Sequence, residues 1–296
     1  MLGGNLAKVA TENFETYATY RTNTIKMPKC EAFALDMTKQ DDVNQLVEKI
    51  SPDAIIHTAA IANVDYCESH PDEAKASNVD GTRYMAEAAA KLGAKFVYIS
   101  TDSVFDGERG MYTEADEVNP LSEYSKSKLE GEKVLDDIDV SSAVIRTTIY
   151  GWNMQDKTSL GEWAINELKA GNEVKMFEDV FFTPLMVNNL SDALLEVAGS
   201  GVEGVLNLGS PDRCSKFEFG QKIAEVFGFD KSLVSPISVK EFGSFKAPRP
   251  RDPSLDVSKA KRELSTELLS VGGGVKLMRD LEKNGYVDEL KSYLVR

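Results

Sequence analysis

Two hydrophobic periods alternate along the first half of the chain. Residues 14–20 read as a strand, and residues 41–50 as a helix, because Val43, Leu46, Val47 and Ile50 recur at helical spacing. The turn pair Pro52-Asp53 precedes a short apolar strand over 54–57. Residues 71–92 are alanine-rich and helical in pattern, with Gly93 next as a residue free to adopt the left-handed C-cap. Phe96-Val97-Tyr98-Ile99 is a buried strand, 123–135 a helix and 142–146 another strand. Strands alternating with helices predict parallel βαβ units, with right-handed crossovers that bury the sheet between two helical layers. The fold class is therefore α/β, doubly wound. After residue 150 the pattern loosens, since 151–184 and 229–253 are rich in polar residues, Gly and Pro. Between them a strand over 202–208 and a helix over 216–227 stand out. No repeat or low-complexity tract interrupts the chain.

Composition narrows the partners. The chain has 296 residues, 42% hydrophobic and 28% charged, with a net charge of −14 and a pI of 4.8. Nucleic acid is not an expected partner, because its phosphates repel such a surface. A small anionic ligand needs only a local positive site and stays possible. No apolar run approaches the roughly 20 residues of a membrane span. Met1-Leu2-Gly3-Gly4 lacks a basic segment leading into an apolar stretch, so no signal peptide is expected. Cys30, Cys67 and Cys214 are scattered and odd in number, which fits reduced thiols in a cytoplasmic protein. His57 and His70 are too few and too isolated for zinc, and no metal is expected.

One pair of residues carries candidate chemistry. Tyr124 and Lys128 are four apart on a predicted helix and share a face. An ammonium beside a phenol favours the phenolate, so the tyrosine pKa is expected to fall toward neutral and suit proton transfer. The spacing alone equally fits an exposed helix with a solvated lysine. Context adds weight: the buried strand 96–99 runs into Ser100-Thr101-Asp102-Ser103, and ligands of parallel α/β sheets sit at the carboxyl ends of strands. There Thr101 can bond a substrate oxygen while Tyr124 moves its proton. Thr101 equally fits a strand-end residue bonding its own loop.

Together these pieces resemble the extended short-chain dehydrogenase/reductases, and within them the dTDP-4-dehydrorhamnose reductase group. The resemblance rests on Ser100-Thr101-Asp102-Ser103-Val104-Phe105-Asp106-Gly107, on the helix that carries Tyr124-Ser125-Lys126-Ser127-Lys128, and on His57-Thr58-Ala59-Ala60. Asn78-Val79-Asp80-Gly81-Thr82, Arg146-Thr147-Thr148-Ile149-Tyr150-Gly151 and Arg249-Pro250-Arg251 extend it over nearly the whole chain. It implies a Rossmann-type dinucleotide-binding domain over 1–150 and a smaller substrate-binding lobe over 151–296, which returns once to the main sheet around 185–228. It implies NADP(H) or NAD(H) as cofactor and a nucleotide sugar as substrate, with a homodimer as the oligomer. Tyr124 would be the proton donor. Lys128 would tune it and hold the nicotinamide ribose, and Thr101 would hold the substrate oxygen. Asp102, Ile149 and Arg249 would face the substrate, with Arg249 at the diphosphate. Leu2, Gly3, Arg21, Asp36, Met37, Ala59, Ala60, Ile61 and Ala62 would line the cofactor. Arg21 could pair with a 2′-phosphate and thereby favour NADP(H). It also fits a solvated surface arginine, and Arg249 a loop anchor.

The sequence departs from that group in three places. The family opens with an apolar strand and a Gly-x-x-Gly-x-x-Gly loop; this chain begins inside the loop, with Gly3 as the third glycine. The expectation is that the missing strand lies upstream, and that without it backbone in the sheet goes unpaired and cofactor binding suffers. Ser103 stands where an aromatic usually follows the Thr-Asp pair, and Ile149 where a tryptophan is typical, so the sugar need not be dehydrorhamnose. Two other functions share the fold: an epimerase or dehydratase that retains its cofactor, and a non-catalytic regulatory subunit like the β subunit of methionine adenosyltransferase.

Overall fold

The structure is a computed structural model that describes residues 1–243 and 245–295. Helix α1 (Leu2–Ala10) buries Leu2, Leu6 and Ala7 in the main core. Strand β1 (Thr16–Tyr20) follows and pairs in parallel with β2 (Cys30–Ala34). Helix α2 (Gln40–Ile50) turns Val43 and Val47 inward, as their spacing predicts. Next come β3 (Ala54–His57), α3 (Val64–Ser69), α4 (Pro71–Lys75) and α5 (Gly81–Leu92). Gly93 closes α5 at a φ of 66°, the left-handed cap that its position suggests.

The single helix expected over 71–92 is corrected here. A π-helical turn over Ala76–Asp80 separates α4 from α5. Such a turn adds a residue to one helical coil and displaces a side chain sideways. The displaced residue is Asn78, which the site uses. Strand β4 (Lys95–Ile99), helix α6 (Glu123–Val134) and strand β5 (Ser142–Thr147) complete the first half.

The second half is more regular than its sequence suggests. It holds β6 (Ile149–Tyr150), α7 (Leu160–Lys169), β7 (Val174–Phe177), β8 (Phe181–Phe182) and β9 (Leu185–Met186). It continues with α8 (Val187–Ala198), β10 (Gly204–Leu208), β11 (Cys214–Ser215), α9 (Lys216–Phe227) and β12 (Val234–Ile237). Helices α10 (Ser258–Glu263), α11 (Val271–Lys283) and α12 (Tyr286–Ser292) end the chain. Short ladders join β6 to β9 and β7 to β12 in parallel, and β8 to β11 antiparallel.

The main sheet is parallel, in the order β10-β5-β4-β3. Alternate residues of β4 point to opposite layers. Phe96 and Tyr98 pack with Val43, Val47, Met85 and Ala89 of α2 and α5. Val97 joins the other layer with Leu190 and Leu194 of α8. Burial on both faces accounts for the uninterrupted apolar run that marked this strand. The β1–β2 pair forms a separate sheet, and among the described residues no ladder joins β1 to β3. The doubly wound sheet is thus split between these two strands.

Helix α6 approaches β4 unusually closely at Gly131. A Cβ there would collide with the Tyr98 hydroxyl and the Asn78 carbonyl. Gly131→Ala should destabilise the fold by about 1–3 kcal/mol in urea denaturation. Gly272→Ala, at an open helical position of α11, should be neutral or stabilising by up to about 1 kcal/mol. Equal effects of the two substitutions would refute the close approach.

Candidate functional site

Strand β4 ends at Ile99, and the chain turns sharply at Thr101 and Asp102. The Thr101 hydroxyl caps that turn by accepting from the Ser103 amide at 3.2 Å. It also lies near enough to the Tyr124 phenol to oppose part of the rise in its pKa. The buried Asp102 carboxylate accepts from Thr101 at 3.2 Å and Ser103 at 3.1 Å. Helix α6 brings Tyr124 and Lys128 to the same strand end. Its N-cap Ser122 accepts from the Ser125 amide at 3.3 Å. The three residues expected to do chemistry are therefore gathered at one carboxyl end of the sheet.

Two polar contacts hold α6 in place. Glu132 receives Arg146 of β5 through Nε at 3.1 Å and Nη2 at 2.7 Å, and it also accepts from Ser100. Asn78, displaced by the π turn, grips the backbone of Ile61 on both sides. Its Oδ1 accepts from Ile61 N at 2.8 Å, and its Nδ2 donates to Ile61 O at 3.1 Å and to Ser127 Oγ at 2.9 Å. One side chain thus couples the loop after β3 to helix α6. The motif around Asn78 flagged the segment, but nothing in its residue types revealed this clamp.

The electrostatics overturn one expectation. Tyr124 is not lowered but pushed up to about 12, because burial disfavours the phenolate and Asp102 adds repulsion. Thr101 opposes the shift only in part. Lys128 is pulled down to about 7 by burial, with Glu132 opposing. The Glu132 carboxylate is itself committed to Arg146. The Lys128 ammonium sits 4.0 Å from the centre of the Tyr98 ring, and the Tyr98 hydroxyl donates to the Lys128 carbonyl at 3.1 Å. Among the described residues the ammonium has no hydrogen-bond acceptor. His57 is pushed down to about 3 by burial, with Lys128 adding to the shift, and is neutral. Burial lifts Asp102 to about 6, against the pull of Lys216.

The expected cofactor residues follow the carboxyl ends of β1, β2 and β3. Arg21 is exposed beyond β1 and close enough to Asp36 to help lower its pKa, after the hydrogen bonds from Thr38. Asp36 is held by the Thr38 hydroxyl at 2.7 Å and its amide at 3.2 Å. Met37 packs against Gly81. Ala59, Ala60, Ile61 and Ala62 follow β3, with Ile61 pinned by Asn78. Gly3 opens α1 so close to Thr58 that a Cβ would come within 2.9 Å of its hydroxyl. Leu2 buries its side chain in the main core, which leaves that side chain unavailable to a cofactor. The uncapped first turn of α1 suits a pyrophosphate, and the unpartnered Lys128 ammonium suits a ribose diol. These residues fit a dinucleotide.

Beside them lies an open cavity of about 180 Å³, walled by Asp102, Ser125, Thr148, Phe182, Lys216 and Arg249. Arg249 stands at its mouth, paired to Asp65 at 2.9 Å and stacked over Phe245. Ile149 takes a different place from the one expected. It pairs with Leu185 and packs partly buried against the main core, while its neighbour Thr148 lines the cavity. Lys216 and Thr148 went unmarked by the sequence reading, since a lysine opening a helix gives no signal of a pocket.

The sequence profile of the RmlD substrate binding domain matches residues 1–281. The chain belongs to that family. This RmlD-type chain is 34% identical over 239 residues to the probable low-salt glycan biosynthesis reductase Agl14 of Haloferax volcanii, covering 79% of each chain. It is 30% identical over 251 residues to methionine adenosyltransferase 2 subunit beta of Bos taurus, covering 78% of this chain and 70% of that one. The crystal structure of dTDP-4-dehydrorhamnose reductase from Bacillus anthracis in complex with NADP superposes with a TM-score of 0.80 at 27% identity, over 90% of this chain and 99% of that one. The RmlD-type chain is thus an extended short-chain dehydrogenase/reductase with a Rossmann-type fold. Among the described residues no helix is long and apolar enough to cross a membrane.

The Lys128 shift has a consequence for stability. A lysine with a folded pKa near 7 binds fewer protons than the unfolded chain from pH 7 up to about 10.4, so its burial cost is full below pH 7 and shrinks as pH rises. Lys128→Met should therefore raise the Tm more at pH 6 than at pH 9. A gain that does not depend on pH would refute the shift.

Proposed function

We propose that the chain is an NAD(P)H-dependent reductase of a nucleotide-activated 4-keto sugar. The observation that carries this reading is a protonated Tyr124 beside Thr101 at the strand end, with the unpartnered Lys128 one helical turn away. A reductase needs the neutral phenol, which is the form that gives a proton. When bound, the nicotinamide cofactor supplies the hydride to the carbonyl carbon. Thr101 holds the carbonyl oxygen, and Tyr124 protonates it, so the C=O bond becomes CH–OH. Lys128 holds the ribose and stabilises the phenolate that proton loss leaves behind. Asp102 meets the sugar, and Arg249 the diphosphate. Residues 1–150 mainly hold the dinucleotide and 151–296 mainly the substrate.

The likeness to the Haloferax reductase and to the NADP-bound Bacillus enzyme supports this reading. Three free thiols and a reduced nicotinamide as reductant suit the cytoplasm, and a homodimer is the assembly that the family resemblance implies. The likeness to methionine adenosyltransferase 2 subunit beta favours a second reading, a regulatory subunit without turnover. An epimerase would turn over without net hydride use.

Stoichiometric oxidation of NADPH or NADH on adding a dTDP-4-keto-6-deoxyhexose marks the reductase; conversion of the sugar without net oxidation marks an epimerase, and no conversion marks a regulatory subunit. The Tyr124→Phe variant should lose turnover by about a hundredfold or more while cofactor affinity stays unchanged. Full activity in that variant would remove Tyr124 from the mechanism.

A further inference from the structure

Lys216 occupies a position that stability does not explain. It opens helix α9 just after the capping box of Ser215 and Glu218. The start of a helix disfavours a cation, because its free N–H groups carry partial positive charge. Lys216 lines the cavity together with Asp102 and Arg249, both close enough to act on its charge. Burial pulls its pKa down to about 8, Asp102 and Cys214 oppose that shift, and Arg249 adds to it. The ammonium lies 3.2 Å from the centre of the Phe182 ring. Among the described residues it makes no ion pair and no hydrogen bond. Arg249 has its own carboxylate in Asp65, so Lys216 is the cation of this cavity whose charge goes unmatched at contact distance.

We propose that Lys216 is a specificity-determining residue whose ammonium takes an anionic oxygen of the bound nucleotide sugar, either of its diphosphate or of a carboxylate on the sugar ring. The proposal rests on the nucleotide-sugar reading of the site. The chemistry follows from what burial removed. A desolvated ammonium regains most from a charged acceptor, since charge-assisted hydrogen bonds are about twice as strong as neutral ones. A sugar hydroxyl alone would return only part of that cost. Phe182 covers one face of the ammonium and leaves the cavity side open to the ligand.

Two variants separate charge from packing. Lys216→Met keeps the length without the charge, and Lys216→Arg keeps the charge. Calorimetric titration with dTDP, dTDP-glucose and dTDP-glucuronate identifies the source of the oxygen. A diphosphate contact predicts that Lys216→Met loses about tenfold to a hundredfold in affinity for all three, with Lys216→Arg restoring much of it. A carboxylate contact predicts a loss confined to dTDP-glucuronate, which the wild type then prefers over dTDP-glucose. The Tm of Lys216→Met should not fall, because the substitution removes a desolvated charge from a helix start. Equal affinities of the wild type and Lys216→Met for all three overturn the proposal, as does a loss of binding that tracks a fall in Tm. Failure of the wild type to bind any of them overturns the nucleotide-sugar reading, and the Lys216 proposal with it. Binding without oxidation of reduced cofactor by any keto sugar overturns the reductase reading while Lys216 is still judged by the affinities.

Discussion

A carboxylate buried beneath helix α6 fixes the position of everything above it. Glu132 takes two hydrogen bonds from Arg146 and a third from Ser100. Arg146 belongs to β5, and Ser100 immediately follows β4, so one side chain of α6 is tied to two adjacent strands. Removing one partner of such a pair costs about 3–5 kcal/mol, because the other charge is stranded in a medium that cannot solvate it. The helix therefore has one register on the sheet. Tyr124 and Lys128 project from it at fixed places relative to Thr101, and Gly131 allows the close approach. Asn78 extends the same logic sideways, since its contacts fix the loop after β3 against Ser127 of α6.

The rim of the sheet lacks the pairing found beneath it. Lys128, Asp102, Tyr124 and Lys216 are all shifted by burial, and their neighbours only partly offset the cost. At neutral pH the shifts of Lys128, Asp102 and Lys216 cost the folded chain stability, and Asp102 and Lys216 wall one cavity at the strand ends. That concentration is the signature of a site built for a ligand. The main core supplies the surplus that tolerates it, through large fully buried side chains such as Tyr150, Phe219, Leu185 and Leu206.

The sequence exposed those elements whose period is long enough to count. Strand β4 declared itself by four apolar residues buried on both faces, and α2 by two turns of spaced aliphatics. Ladders of two to four residues, such as β6–β9 and β8–β11, offer too few positions to define a period, which is why the second half looked irregular. Helix α7 was missed although Ser159 and Glu162 form a capping box and bury one face. Helix α11 was missed behind three consecutive glycines, although Val271, Val275 and Met278 share its inner face. The clustering of Thr101, Tyr124 and Lys128 near one strand end was legible because their spacing and their place after a buried strand agreed. Asn78 and Lys216 were not, since both act through three-dimensional neighbours far away in sequence. The direction of the Tyr124 shift was misjudged for the same reason: spacing reveals the lysine but not the burial.

That misjudged shift bears on which way the chemistry runs. A phenol with a pKa near 12 is ionised to about one part in a hundred thousand at pH 7. At rest the phenol therefore holds its proton, and little phenolate is present to take one. An epimerase must do both at the same atom, oxidising the sugar and then reducing it, and gains from a tyrosine poised between its two forms. A reductase uses only the giving step, and needs the phenolate stabilised only after the proton has left. Lys128 is suited to that sequence of events. Its ammonium is held near its own pKa by burial, so in the proposed role an anion arriving beside it would raise its proton affinity and fix its charge. Burial thus keeps the phenol in its proton-bearing form at rest, the form from which a donor starts, and leaves the charge that follows to be met by groups around it.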